Sequence, residues 1–137
     1  MSGTVTGAPQ TLLRLEGLFV LIAACAVYAK MGGNWWLFAA LFLVPDLFML
    51  GYLAGRKAGA ALYNLGHWYA LPLGAIAWGV WGNNPLALDI GLIWGAHIGF
   101  DRALGYGLKY ADGFGSSHLG MKGKAAKAAN CRTVEAV

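Results

Sequence analysis

Charged side chains are scarce in this chain. They make up 12% of its 137 residues, whereas hydrophobic residues make up 58%. A soluble domain usually carries about 25% charged residues, and so few charges cannot cover a water-facing surface. These proportions exclude an ordinary soluble domain and predict a membrane protein with room for one compact bundle.

The chain has two cysteines and lacks the common catalytic motifs. Cys25 lies in an apolar segment and Cys131 lies near the C-terminal end. Two such residues form neither a disulfide framework nor a metal-binding cysteine cluster, so we interpret both as free thiols. The sequence also lacks a phosphate-binding loop, a nucleophile elbow and a dinucleotide-binding fingerprint.

Four long apolar windows are present, at about 12–31, 35–54, 58–82 and 85–108. A helix needs about 20 apolar residues to cross a bilayer, and none of the windows alternates in polarity as barrel strands do. The sequence therefore predicts an all-α, membrane-embedded four-helix bundle over residues 12–110. Three further segments flank it: a polar N-terminal segment, a Gly-rich loop with His118 and a basic flexible tail, at 1–11, 111–121 and 122–137.

Basic residues predict the orientation of this bundle. Arg14, the Arg56–Lys57 pair and the Lys-rich tail fall on one side if the chain crosses four times, while the other side holds Lys30 and Asp89. Basic residues concentrate on the cytoplasmic side, so we expect both termini there. We expect an integral protein of the bacterial inner membrane with the lipid bilayer as its partner, and no nucleic-acid partner.

Small residues and prolines interrupt the windows. Glycines recur every four positions, at Gly51 and Gly55 and again at Gly91, Gly95 and Gly99. Such faces pack helices closely within the bundle or, alternatively, form a homo-oligomer or a larger membrane complex. Pro45 and Pro72 predict kinks, since proline lacks the amide N–H that continues a helix.

Ionisable residues inside the windows indicate a polar site. Asp46, His67, His97 and Asp101 all fall about 12 to 18 Å from the cytoplasmic ends of their predicted helices at 1.5 Å per residue. His97 and Asp101 are four residues apart and share a helix face. Because charged groups in a bilayer are costly and seldom lack a role, we predict these four as catalytic residues.

Three interpretations of this site stay open. Imidazole and carboxylate groups suit a divalent metal such as zinc, with His67, His97 and Asp101 as ligands and Asp46 or His118 as a further one. A metal-free acid–base or proton-relay site would use His97 and Asp101. A purely structural core would instead contain ion pairs, between Asp101 and Arg14 and between Arg102 and Glu16 or Asp46.

Polar residues around the site are candidates for binding substrate. Cationic and amide side chains hold anionic headgroups well, and the candidates are Arg14, Asn64, Arg102, Tyr106 and Lys109. One hypothesis is a metal-dependent or acid–base hydrolase of a lipid-like substrate. The alternative is a non-catalytic accessory subunit of a larger membrane complex, whose polar residues only stabilise the bundle.

Several short motifs resemble one family of small membrane proteins. They are Leu13-Arg14-Leu15-Glu16-Gly17, Pro45-Asp46-Leu47, Tyr63-Asn64 with His67, and Ala96-His97-Ile98-Gly99-Phe100-Asp101-Arg102 with Gly105-Tyr106-Gly107-Leu108-Lys109-Tyr110. Over about residues 11–121 the chain resembles the family catalogued as domain of unknown function 4260. The resemblance implies a four-helix inner-membrane protein and assigns no reaction.

Overall fold

Helices make up most of the computed structural model, which describes residues 4–111 and 115–121. Within these residues the helices are α1 Ala8–Lys30, α2 Trp35–Phe42, a 3₁₀ helix Val44–Ala54, α3 Arg56–Gly66, α4 Ala70–Trp81 and α5 Pro85–Leu104. A short antiparallel hairpin follows, with strands β1 Ser116–Ser117 and β2 Gly120–Met121. The predicted all-α fold is confirmed, and the predicted tail at 122–137 lies outside the described residues.

Helix ends coincide with asparagine and glycine residues. The Asn34 side chain accepts the N–H of Trp36 at 2.9 Å at the start of α2. Asn84 accepts the N–H of Ala87 at 3.1 Å at the start of α5. Gly105 ends α5 with φ of 87°, a left-handed conformation that suits glycine. These local signals fix where α2 and α5 begin and where α5 ends.

The third predicted span, 58–82, consists of two helices rather than one. α3 ends at Gly66 and α4 begins at Ala70, so His67 lies in the bend between them. Pro72 is the third residue of α4, where a missing N–H removes no helical hydrogen bond. The sequence predicts a kink at Pro72, but the structure has a break between α3 and α4 that comes before Pro72.

The second predicted span also changes near its proline, from an α-helix to a 3₁₀ helix. α2 ends at Phe42, and Pro45 lies in the first turn of the 3₁₀ helix that begins at Val44. Asp46 follows directly, so the irregular backbone falls beside a candidate site residue. Such long 3₁₀ runs are uncommon, and this one spans 11 residues.

Helix α5 lies at the centre of the fold. It packs along α1 and α4 and more lightly on α2, whereas the 3₁₀ helix packs mainly on α3. All but one of the residues from Gly91 to Gly99 are buried. α5 therefore contacts α1, α4 and α2, and the polar groups on α5 are enclosed by the surrounding helices.

Two segments are long and apolar enough to cross a membrane: α1, and α2 with the 3₁₀ helix, over Trp35–Ala54. Only 17% and 6% of their most apolar stretches are buried within the chain. Large apolar side chains consequently point outward, and Trp36 and Leu53 are 87% and 89% exposed. This outward apolar surface is the opposite of what a soluble helical core presents.

Gly99 and Gly91, two of the predicted glycines, form close contacts inside the chain. A Cβ added to Gly99 would lie 2.6 Å from the Gly17 carbonyl oxygen and 2.8 Å from the Leu21 nitrogen, so α1 and α5 touch through their backbones. A Cβ on Gly91 would lie 2.8 Å from the Ile76 nitrogen of α4. Glycine at these positions lets α5 approach two neighbours closely.

We expect Gly99→Ala to destabilise the protein by about 1 to 3 kcal/mol, because the added methyl group meets backbone atoms that cannot rotate away. Gly74→Ala in α4 is the matched control, since nothing lies within 4 Å of a Cβ there. The control should be neutral or slightly stabilising, as alanine favours helices. Thermal unfolding of the detergent-purified proteins checks this, and equal midpoints for the two variants would contradict it.

Candidate metal centre

Four ionisable side chains from three elements converge beside α5. Asp46 comes from the 3₁₀ helix, His67 from the bend after α3, and His97 and Asp101 from successive turns of α5. The Nε2 atoms of His67 and His97 are 3.2 Å apart. One ligand atom of each residue lies within 4.8 Å of the others. The structure thus brings together the four residues that the sequence suggested as catalytic.

Each carboxylate contacts both imidazoles. Asp46 Oδ1 lies 3.6 Å from Nε2 of His67 and 3.4 Å from Nε2 of His97. Asp101 Oδ2 lies 3.3 Å and 3.5 Å from the same two nitrogens. The histidines are 2% and 1% exposed, while the side chains of Asp46 and Asp101 are 35% and 15% exposed. The two imidazoles are therefore the buried part of the site, and Asp46 is its most accessible residue.

Tyr63 fixes the tautomer of His67. His67 Nδ1 lies 2.9 Å from the Tyr63 carbonyl oxygen, and a carbonyl only accepts, so Nδ1 carries the proton. The Nε2 lone pair of His67 then faces the carboxylates. A histidine whose far nitrogen donates to a carbonyl is oriented as metal-binding histidines are.

His97 is enclosed by aromatic side chains. The Phe42 ring lies edge-on to His97, with centroids 5.3 Å apart. Its Nδ1 is buried without a hydrogen bond of standard geometry among the described residues, although the Phe42 carbonyl is near enough to act as an acceptor toward this ring. The ring therefore presents Nε2 to the cluster from a largely apolar pocket.

Acceptor atoms concentrated in this way suit a positive charge between them. The carboxylate oxygens of Asp46 and Asp101 and the Nε2 lone pair of His67 are all acceptors, so either a metal ion or a proton on an imidazole would hold them together. In a tetrahedral zinc site with bonds of about 2.1 Å, neighbouring ligand atoms are about 3.4 Å apart. The five separations that involve an imidazole nitrogen, from 3.2 to 3.6 Å, match that spacing, and all four ligand atoms lie within 4.8 Å of one another. The donor set is therefore compatible with a tetrahedral divalent metal.

Tyr63 also supports the second carboxylate, a role that the sequence predictions left out of the site. Its hydroxyl donates to Asp101 Oδ2 at 3.2 Å, and its ring stacks on His67 with centroids 3.8 Å apart. Tyr63 and His67 are four residues apart, so their shared helix face was the signal for this contact. One residue thus positions two of the four potential ligands.

Three predicted substrate-binding residues lie together on the other side of Tyr63. Asn64 Nδ2 donates to the Lys109 carbonyl at 2.8 Å, and Lys109 N–H donates back to Asn64 Oδ1. The Lys109 ammonium lies over the rings of Tyr63 and Tyr106, 5.0 and 5.4 Å from their centroids. Lys109 is only 5% exposed. The chain after α5 is therefore fastened to α3 beside the cluster.

The two arginines predicted to bind substrate are engaged by protein groups. Arg102 Nη2 donates to the His67 carbonyl at 3.4 Å, and its guanidinium lies 5.3 Å from the Tyr69 ring centroid. Arg14 Nε donates to the Ala103 carbonyl at 3.0 Å. Both arginines bind carbonyls that the helix ends leave free.

The predicted structural ion pairs are not the contacts that the structure contains. Among the described residues, Asp46 and Asp101 make their ion-pair contacts with imidazoles rather than with Arg14 or Arg102. Asp101 and Arg102 are consecutive in α5 and point about 100° apart. Asp101 consequently faces α3, while Arg102 faces the bend and the hairpin.

His118, considered as a further ligand, lies outside the cluster. The hairpin folds back so that His118 Nδ1 accepts the N–H of Leu108 at 2.9 Å and Nε2 lies 3.2 Å from Arg102 Nη1. Val5 N–H donates to the His118 carbonyl at 2.8 Å. Burial, and then the neighbouring Arg102 cation, lower the pKa of His118. Its role is to hold the hairpin against the end of α5.

We expect Tyr63→Phe to weaken metal binding about 10- to 100-fold, the usual effect of losing a residue that orients a ligand. The substitution keeps the ring stacked on His67 and removes only the hydrogen bond to Asp101. Tyr28→Phe is the control, because the Tyr28 hydroxyl donates to Asn34, at 2.7 Å, instead. Competition titration with a metal indicator measures both affinities, and equal values would show that the hydroxyl does not position Asp101.

We expect His118 to titrate below 6.5, its value in an unfolded chain. Since the folded pKa is the lower one, the hairpin's full contribution to stability is present above pH 6.5 and declines as the pH falls toward the folded value. Arg102→Gln should raise the His118 pKa by removing the nearby positive charge. NMR titration of the imidazole tests both statements, and a wild-type pKa at or above the unfolded value would refute the first.

A comparison with protein-family models identifies the family of the chain. The model described as "Domain of unknown function (DUF4260)" matches residues 10–121. That range includes the four clustered residues, Tyr63 and the hairpin. No curated protein and no solved structure matches the chain. Because the match covers well over half of its length, the chain belongs to the DUF4260 family.

Proposed function

We propose that this chain is an integral membrane protein that binds a divalent metal, such as zinc, and uses it to hydrolyse a lipid-like substrate. The observation that carries the proposal is the convergence of Asp46, His67, His97 and Asp101 at metal-ligand spacing. These residues come from three separate elements, so the fold itself assembles the donor set. The metal-free acid–base alternative needs a proton on an imidazole to hold the two carboxylates together.

The membrane part of the proposal rests on the outward apolar surface. α1 and Trp35–Ala54 have mean hydropathies of 1.9 and 2.0 over their most apolar stretches, with little burial inside the chain. Such apolar surfaces fit the hydrocarbon core of a bilayer. With the basic residues on the cytoplasmic side, the metal centre lies toward the inner leaflet of a bacterial inner membrane, and both termini lie in the cytoplasm.

Hydrolysis is the chemistry that best suits this donor set. A bound zinc ion polarises a carbonyl and lowers the pKa of a bound water to about 7. Catalytic zinc sites keep one coordination position for water or substrate. Asp46 is the most exposed of the four residues, so with a metal held by His67, His97 and Asp101 it would be the group placed to accept a proton from an attacking water.

A second function is favoured by one specific observation. The site offers four protein groups, enough to occupy all four positions of a zinc ion, and a closed set of four protein ligands is characteristic of structural zinc sites. In that case the metal would join the 3₁₀ helix, the bend at His67 and α5 in an accessory subunit of a larger membrane complex. The exposed apolar side chains of α1 and α2 would then contact partner helices as well as lipid.

Metal content tests the shared part of both functions. We expect the detergent-purified protein to contain close to one equivalent of metal and the His97→Ala variant to contain almost none, because the variant loses a buried ligand. His118→Ala is the matched control and should retain its metal, since His118 lies outside the cluster. Elemental mass spectrometry measures all three, and metal retained in His97→Ala or missing from metal-supplemented wild type would end the proposal.

Ester hydrolysis separates the enzyme from the accessory subunit. With p-nitrophenyl octanoate as the probe, we expect metal-dependent activity in the wild type and a loss of about 100-fold or more in Asp46→Asn, since the amide cannot accept a proton. Asp46→Asn should still bind metal when metal is in excess. A metal-loaded wild type with no more activity than His97→Ala would favour the accessory subunit.

A further inference from the structure

An apolar crevice opens between the 3₁₀ helix and α5, with a cavity of about 80 Å³. Its walls are hydrophobic side chains from both elements, chiefly Val44, Pro45 and Phe48 on one side and Ile90, Ile93 and Trp94 on the other. Phe48 and Trp94 stack with ring centroids 6.4 Å apart at one end. The crevice offers almost no polar group to water, so it suits a hydrocarbon occupant.

Residues in the walls of the crevice adjoin two of the candidate metal ligands. Val44 and Pro45 directly precede Asp46, and Ile93 lies one helical turn before His97. Asp46 is also the ligand with the most exposed side chain, at 35%. A molecule lying in the crevice would therefore meet the metal at the edge where a protein ligand is most easily displaced.

The crevice is also open toward the surroundings of the protein. The 3₁₀ helix packs mainly on α3 rather than on α5, which leaves the gap between the two walls. Val44, in the wall of the crevice, is 43% exposed. In the proposed orientation this side chain contacts lipid, so hydrocarbon chains are the molecules present at the entrance.

We propose that the crevice binds the hydrocarbon chain of a single-chain amphiphile, whose oxygen-donor head group reaches the metal beside Asp46. This inference rests on the proposed metal centre and adds a substrate class to it. The volume admits a few methylene groups of one chain, and is too small for a helix of a partner protein or a second copy. A carbonyl or carboxyl-type head group is a suitable donor for the same ion that the two aspartates hold.

A second apolar cavity provides an internal control. It measures about 240 Å³, lies between α1, α4 and α5, and has Leu73, Ile76 and Gly95 in its lining. Gly95 points about 200° around α5 from His97, so this cavity lies on another face of α5. Trp introduced at Leu73 fills this cavity, whereas Trp introduced at Ile90 fills the crevice, and neither residue is a metal ligand.

The experiment uses the cobalt-loaded protein and two hydroxamates that differ only in chain length, acetohydroxamate and octanoyl hydroxamate. Hydroxamates ligate the metal and change the visible absorption of cobalt, so binding is read at the metal itself. We expect the longer chain to bind wild type and Leu73→Trp at least tenfold more tightly than the shorter one, because buried methylene groups favour binding. In Ile90→Trp that ratio should fall by about tenfold. Partitioning of the probe into detergent is the same for all three proteins.

The outcomes separate this inference from the proposed function. If cobalt binds and the chain-length ratio is the same in Ile90→Trp and Leu73→Trp, the crevice is not the chain site, and the metal centre stands. If Leu73→Trp alone lowers the ratio, the second cavity is the chain site and the inference is wrong. If wild type binds no cobalt, the metal centre and the chain site that depends on it both fail. Equal cobalt content in the variants shows that each has kept its fold.

Discussion

The main physical constraint on this fold is that two imidazoles and two carboxylates are enclosed among apolar helices. Each group loses hydration as the helices pack, and hydrogen bonds to Tyr63 restore only part of it. The remaining electrostatic cost is large in a medium of low dielectric constant. A positive charge at the centre, either a proton on an imidazole or the proposed metal ion, would offset that cost and link the 3₁₀ helix, α3 and α5.

The position of α5 follows from this constraint. It carries two of the four groups and is buried over most of its central turns. Glycine at Gly17 and Gly99 lets α1 cover one face, and the bend at His67 lets α3 and α4 cover others. The asparagine and lysine pair, Asn64 and Lys109, then fastens the chain after α5 back onto α3. Close packing and the polar centre are therefore two aspects of one arrangement.

Composition and spacing were sufficient to predict the helical fold and the residues of the polar cluster. Apolar windows define helices without any tertiary information, and the i, i+4 spacing of His97 and Asp101 places both on one face. The breaks before Pro45 and Pro72 were mistaken for kinks, because hydropathy does not distinguish a bent helix from two helices. One of the three open interpretations pairs Arg14 and Arg102 with carboxylates, because the sequence does not reveal which helix-end carbonyls compete for these arginines. The role of Tyr63 depends on side-chain geometry across three elements, which spacing alone does not specify.

The 3₁₀ helix has a mechanical consequence for Asp46. Eleven residues extend about 22 Å as a 3₁₀ helix but only about 16 Å as an α-helix. Rewinding this segment would therefore act as a screw, shortening it by about 6 Å and rotating its side chains around the axis. Asp46 lies in the first turn, so a small amount of rewinding would swing its carboxylate away from the imidazoles while His67, His97 and Asp101 stay in place. Backbone geometry would thus allow Asp46 to move while the other three residues of the cluster stay in place.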